Sequence, residues 1–241
     1  MKLTVFNGSP RGKGSNTKIL LEHFINGFMT TDGNTYELAY LNRVKDSDNF
    51  VKLFREAEQV LVAFPLHTDA MPAIVKTFIE SLEPLCGREG NPDIGFIVQG
   101  GLPEATNLRY VERYLEKLAA RLGCRYKGTV IRGGVEAIRI PALQDKKFLK
   151  FFCTFGITTD FGGVGHLLDS KKLCRTFYEL GKTYSETGEF NKEIVLKLTQ
   201  LEMLTKFQFW VFKLVVHNLY WNPQLKKNNA FEKRFDKPYV R

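Results

Sequence analysis

The sequence predicts an α/β fold: a doubly wound, five-stranded parallel sheet covered by helices, with a helical C-terminal extension. Three observations carry this expectation. Segments with strand character alternate along the chain with segments of helical period, joined by short connections. One of the strands, Gln59–Phe64, is almost wholly apolar, as suits a strand buried on both faces. Several strands end in loops containing Gly or Pro, at the edge where open α/β sheets bind ligands.

The elements follow in order. Lys2–Phe6 reads as a short buried strand running into a Gly- and Ser-rich loop. Asn16–Phe28 places Ile19, Leu20, Leu21, Phe24, Ile25 and Phe28 at helical spacing. Thr35–Leu41 is a second strand, and Phe50–Ala57 a helix through Phe50, Val51, Leu53, Phe54 and Ala57. After the strand Gln59–Phe64, Pro72 suits the first turn of a helix whose period runs over Ala73–Leu85. Asp93–Val98 is a fourth strand, ending at Gln99-Gly100-Gly101. Glu104–Leu122 is a long amphipathic helix, and Arg125–Arg132 a fifth strand ending at Gly133-Gly134. Beyond Val135 the pattern weakens. Lys147–Phe155 is aromatic and apolar, Gly156–Gly165 is rich in Gly and Thr, and Leu167–Ser185 is helical. Asn191–Tyr220 holds one or two further helices rich in aromatics, before a polar, basic tail from Asn222. The expected division is residues 1–150 as the ligand-binding domain and 151–241 as the extension, packed on it or on a partner subunit.

The loop after the first strand reads Asn7-Gly8-Ser9-Pro10-Arg11-Gly12-Lys13-Gly14-Ser15-Asn16-Thr17. It opens a helix, whose first N–H groups and positive dipole end favour a phosphate. Glycines admit close approach, Ser9, Ser15 and Thr17 add hydroxyl donors, and Arg11 adds a charged fork. Asn16 suits either a cap or a phosphate. The loop is neither a Walker sequence nor the dinucleotide G-x-G-x-x-G. Ser and Asn are ordinary N-caps, but this position after the first strand of an α/β chain favours phosphate.

Gly8-Ser9-Pro10-Arg11 followed by Ser15-Asn16-Thr17 resembles the FMN-binding loop of the NADPH-dependent FMN reductase family, within the flavodoxin-like superfamily. Pro65-Leu66-His67-Thr68-Asp69-Ala70-Met71-Pro72, with Lys76 and Phe78-Ile79 beyond, resembles that family's second flavin loop. Gln99-Gly100-Gly101 stands where the third falls. The resemblance spans about two-thirds of the chain by its βα pattern. It implies a flavodoxin-like fold with FMN held non-covalently. Ser9, Arg11, Ser15, Asn16 and Thr17 would hold the phosphate. Pro65, Leu66, His67, Thr68, Asp69 and Met71 would line the ring, and Gln99, Gly100 and Gly101 would flank its other edge. It also implies an NAD(P)H-dependent oxidoreductase that passes electrons by ping-pong hydride transfer to a quinone, a flavin or another small acceptor, and a homodimer. The chain departs from the family at His67, where many members carry an aromatic residue, and lacks the cysteine cluster of related iron–sulfur flavoproteins.

Composition narrows the classes. The 241 residues are 44% hydrophobic, enough for a real core, and no apolar run is long enough to span a membrane. The N-terminus lacks a signal peptide's apolar region, so a cytoplasmic location is expected. Cys86, Cys124, Cys153 and Cys174 are scattered without metal-ligand spacing and read as free thiols, mostly in or near the core. Net charge is +9, from 35 basic and 26 acidic residues. A solvated basic surface that attracts anionic cofactors explains it better than nucleic acid, which accounts for none of the three loops.

Several residues keep two readings. His67 is either a flavin partner or proton donor, or a solvent-exposed loop residue. Asp69 either caps the helix begun by Pro72 or serves the flavin through its backbone, and capping suits its side chain better. Met71 suits packing. Gly133-Gly134 with Glu136 forms either a further wall of the site or a plain turn. His166 and His217 read as structural or surface residues, and no metal site has support. The aromatic C-terminal segment reads first as core, and more sharply as a dimer interface or a lid. The rival function is a flavin-binding electron carrier without its own nicotinamide site. Simple carriers of this fold are usually acidic, which counts against it here.

Overall fold

The computed structural model describes residues 1–67, 69–102, 104–139 and 170–199, together with 203, 205–206, 209–210, 213–214, 217–233 and 235–236. Thr68, Cys153, His166, the stretches Lys147–Phe155 and Gly156–Gly165, the division at residue 150 and the end of the basic tail lie outside the described residues.

Five strands alternate with helices: β1 (Lys2–Asn7), α1 (Asn16–Phe28), β2 (Thr35–Tyr40), α2 (Ser47–Arg55), β3 (Gln59–Pro65), α3 (Ala73–Ser81), β4 (Asp93–Gln99), α4 (Thr106–Leu122) and β5 (Tyr126–Arg132). They form one sheet in the order β2-β1-β3-β4-β5, every pair parallel. The strand order reverses between β1 and β3, the switch point where such sheets open a ligand crevice.

Two of the departures from the sequence expectation have clear local causes. α2 begins at Ser47 rather than Phe50, because Ser47-Asp48-Asn49 form its polar first turn. Hydrophobic periodicity cannot see such residues, and Asp48 there suits the helix dipole. α3 stops at Ser81, and Glu83–Leu85 form a separate short 3-10 turn with Pro84 near its start. Proline has no N–H to continue the α-helical ladder.

Side chains alternate across each strand and build one core on each face. Phe6, Val60, Val62, Phe64, Phe96, Val98 and Ile131 pack with α2, α3 and α4. Leu3, Val5, Leu61, Ala63, Ile97 and Val130 pack on the opposite face with α1 and a C-terminal helix, α5 (Ser170–Thr187). Leu173, Phe177, Leu180 and Tyr184 of α5 are all buried in that second core. Glycine makes the α1–α5 crossing possible. A Cβ on Gly27 would stand 2.0 Å from the Tyr178 carbonyl oxygen, and one on Gly181 1.9 Å from that of Phe24. Ser170–Thr187 thus buries one face in the second core, packed tightly against the helix that follows the first loop.

α6 (Lys192–Leu198) follows, capped by Asn191, whose Oδ1 accepts from the Glu193 and Ile194 N–H groups. Further on, α7 (Asn222–Lys227) is exposed, as are Phe209, Trp210, Leu214, Trp221 and Phe235. Among the described residues no helix is long and apolar enough to cross a membrane. Cys124 is buried, Cys174 half-buried and Cys86 exposed, so Cys86 departs from the expectation of a core thiol.

Candidate functional site

The first loop is built by its own side chains. Gly8 donates its N–H to the Ala63 carbonyl at 2.7 Å, docking the loop against β3. A Cβ there would meet Val75 Cγ2 at 2.3 Å, so only glycine fits. Buried Asn7 accepts the Ser9 N–H at 2.9 Å and donates to Ser15 Oγ at 3.4 Å. Gly12, at φ +53, opens a short 3-10 turn over Gly12–Gly14. Its N–H goes to the Ser9 carbonyl, and the Ser15 N–H returns to the Gly12 carbonyl.

Ser15 is the N-cap of α1. Its hydroxyl donates to the Gly12 carbonyl at 2.7 Å and accepts the Lys18 N–H at 3.1 Å. Asn16 is therefore not the cap. It is the first helical residue, and its buried amide donates to Glu136 Oε2 at 2.7 Å. Arg11 is largely exposed and lies 3.6 Å from Glu136 Oε1. Thr17 is fully buried, and its hydroxyl oxygen accepts from Gln99 Nε2 at 3.4 Å. The first loop is thus bonded to the third.

The second loop starts at Pro65, the last residue of β3, paired in register with Gln99. Leu66 donates its N–H to the Gln99 carbonyl at 2.8 Å. His67 and Ala70 exchange both backbone hydrogen bonds, at 2.9 and 3.2 Å, closing a tight turn. Asp69 sits in that turn at φ +63, a left-handed conformation that Asp tolerates better than most residues. The capping reading of Asp69 is overturned. Pro72 is itself the N-cap of α3, and that cap has no side-chain hydrogen bond. His67 and Asp69 are exposed, whereas Leu66 and Met71 are half-buried against the core.

In the third loop Gln99 and Gly100 are buried and Gly101 is exposed. Gly100 donates to the Arg132 carbonyl at 2.9 Å and accepts the Val135 N–H at 3.0 Å. Gly134, at φ +70, donates to the Leu102 carbonyl at 2.7 Å. The loop after β5 is therefore more than a plain turn. It is locked onto the third loop and sends Glu136 across to the first.

In the sequence Arg132 reads as one more basic residue at a strand end. It is buried, donates to the Leu198 carbonyl at 3.2 Å, and burial lowers its pKa to about 10. It anchors α6 beside the carboxyl end of β5. Among the described residues no group of three or more His, Cys, Asp or Glu side chains is placed to hold a metal ion.

The start of α1 suits an anionic group. Helix α1 points its first turn at the loop, where the leading N–H groups have no intrahelical partners. At Gly101, which is exposed, a Cβ would meet nothing within 4 Å among the described residues. Such a surface admits the close approach that FMN would need.

No protein-family model matches the chain, and no curated relative matches it. Solved structures do. The chain is similar to an FMN-dependent NADH-azoreductase from Bacillus anthracis in complex with FMN, at 14% identity over 77% of this chain and 98% of that one, TM-score 0.52. It is similar to azoreductase AzrA at 15% identity over 76% and 100%, TM-score 0.52. It is similar to an NAD(P)H:quinone oxidoreductase from Methanothermobacter marburgensis at 14% identity over 76% and 96%, TM-score 0.53. At such identities the likeness speaks for the fold, and it agrees with the strand order: the chain is a flavodoxin-like α/β protein.

Proposed function

We propose that the protein is an FMN-dependent NAD(P)H oxidoreductase that passes electrons by ping-pong hydride transfer to a quinone, a flavin or another small acceptor. One observation carries the reading. The Gly8–Thr17 loop stands at the sheet's switch point and is hydrogen-bonded through Thr17 to Gln99 at the end of β4, next to Gly100 and the exposed Gly101. The solved structures of similar fold, an FMN-dependent azoreductase and a quinone oxidoreductase among them, support the same class.

In this reading Ser9, Arg11, Ser15, Asn16 and Thr17 form the phosphate end. Arg11 supplies charge, while Ser15 acts by holding the first turn of α1 in place. Pro65, Leu66, His67, Thr68, Asp69 and Met71 border the ring on one side, and Gln99, Gly100 and Gly101 on the other. The turn closed by His67 and Ala70 would present backbone groups to the ligand. His67, exposed beside it, would serve as a hydrogen-bond partner of the flavin or a proton donor to the acceptor. FMN, when bound, supplies the hydride chemistry, and the chain supplies binding, orientation and electrostatics. Residues 1–150 would carry the flavin, with 151–241 extending that unit, in a cytoplasmic homodimer.

The test is the visible absorption spectrum of the purified protein after FMN addition and desalting. Retained flavin bands that bleach anaerobically with NADH or NADPH support the oxidoreductase. Retained bands that neither nucleotide bleaches favour a carrier without a nicotinamide site. Folded protein that retains no flavin refutes the assignment.

A further inference from the structure

Glu136 lies on the short 3-10 helix Val135–Arg139 that follows β5. Its position is fixed by backbone. The Gly134 N–H bonds the Leu102 carbonyl at 2.7 Å, and the Val135 N–H bonds that of Gly100 at 3.0 Å. From this anchor the carboxylate reaches across the carboxyl edge of the sheet to the first loop. Oε2 accepts from the Asn16 amide at 2.7 Å, and Oε1 lies 3.6 Å from Arg11 Nη1. The side chain remains about one-third exposed.

Asn16 and Arg11 are two of the donors that the flavin reading gives to the phosphate. A residue that only positioned the loop would hold these side chains from behind and leave their donors facing the ligand. Glu136 instead accepts from the Asn16 amide itself and ion-pairs with one Arg11 nitrogen, with an anion whose two oxygens resemble two of a phosphate's. A phosphate and a carboxylate cannot share them without like-charge repulsion.

Resting on the flavin reading, we infer that Glu136 is an internal stand-in for the cofactor phosphate. It engages the Asn16 amide and the Arg11 charge, and gives them up when a phosphate enters. It thereby sets both the affinity of the loop and its preference between a phosphorylated flavin and one without phosphate. The chain weakens its own grip on FMN at this one residue, while riboflavin, which brings no charge to the loop, is indifferent to it.

The full-length chain is titrated with FMN, riboflavin and inorganic phosphate, following flavin fluorescence quenching and, for phosphate, calorimetry. Glu136→Gln keeps the shape and removes the charge, so FMN should bind roughly tenfold more tightly. Riboflavin affinity should not change, and Glu136→Asp should stay near wild type. Arg11→Ala, which removes a phosphate partner, should weaken FMN. FMN binding that is unchanged or weaker in Glu136→Gln overturns the inference and leaves the flavin reading standing. FMN binding by Glu136→Gln but not by wild type supports the inference strongly. If neither protein binds FMN or inorganic phosphate, both the reading and the inference fall.

Discussion

The α1–α5 crossing allows a prediction whose size can be worked from the structure. Gly181→Ala adds one methyl group where a Cβ would lie 1.9 Å from the Phe24 carbonyl oxygen and 2.7 Å from its carbon. Ordinary contact needs about 3.4 Å, so the helices must part by about 1.5 Å. Both clashing atoms are backbone, and no rotamer change relieves them. Overpacking a tight core costs about 1–3 kcal/mol, and a backbone clash belongs at the upper end. Helix propensity works the other way, since Ala in place of Gly gains about 1 kcal/mol. The net loss is about 2 kcal/mol. For a chain of this size that lowers Tm by roughly 4–8 °C. Far-UV circular dichroism during heating and in urea measures it. Gly27→Ala, the same crossing seen from the other helix, should lose stability too, and the double variant should lose less than the sum. A Gly181→Ala protein as stable as wild type would show that propensity decides and that the helices do not meet at this glycine.

Other expectations are quicker to state. Gly101→Ala has open space around its Cβ, so stability should stay within about 0.5 kcal/mol of wild type while FMN affinity falls at least several-fold; unchanged affinity would remove Gly101 from the flavin's edge. Burial raises the Cys124 thiol to about 12. At pH 8 a maleimide should therefore label exposed Cys86 and reach Cys124 only on unfolding, as read by peptide mass spectrometry. Glu189 lies 3.2 Å from Lys127 and 3.5 Å from Arg125, which hold its carboxyl below the ordinary 4.5, Lys127 most strongly. A depressed folded pKa stabilises the fold above the unfolded value and loses that contribution as pH falls through the folded one. The stability gap between wild type and Glu189→Gln should thus be present at neutral pH and close as the pH falls below the ordinary carboxylate value and through the depressed one, in urea titrations. A gap independent of pH would exclude the ion pair as its source.

The fold was readable because its signals are redundant. Gln59–Pro65 is apolar at nearly every position and can only be a buried strand. Asn16–Phe28 repeats its apolar residues at a helical period over three turns. Single-residue effects were harder to read. Pro84 ended α3 early, and Ser47-Asp48-Asn49 extended α2. The role of Ser170–Thr187 could be read as a helix but not as part of the core. Nothing local in Gly181 reports that Phe24, far away in sequence, stands against it.

The candidate site divides in the same way. The sequence located the loops, because loop chemistry repeats at strand ends, but it could not assign side chains to partners across loops. Ser15, read as a phosphate donor, spends its hydroxyl on Gly12 and Lys18. Asn16, read as either cap or ligand, is bound to Glu136. Thr17 meets Gln99, and Asn7 holds Ser9. Asn7 and Ser15 therefore shape the loop's backbone, while Asn16 and Thr17 tie it to side chains of other loops, and Gly101 is left with open space around its Cβ position. This changes how substitutions there should be read. Ser15→Ala removes a helix cap worth about 1 kcal/mol, so any flavin it loses must be compared with the stability it loses. Gly101→Ala and Glu136→Gln alter a bare surface and a solvent-accessible charge, and their effects on flavin binding report on the site itself.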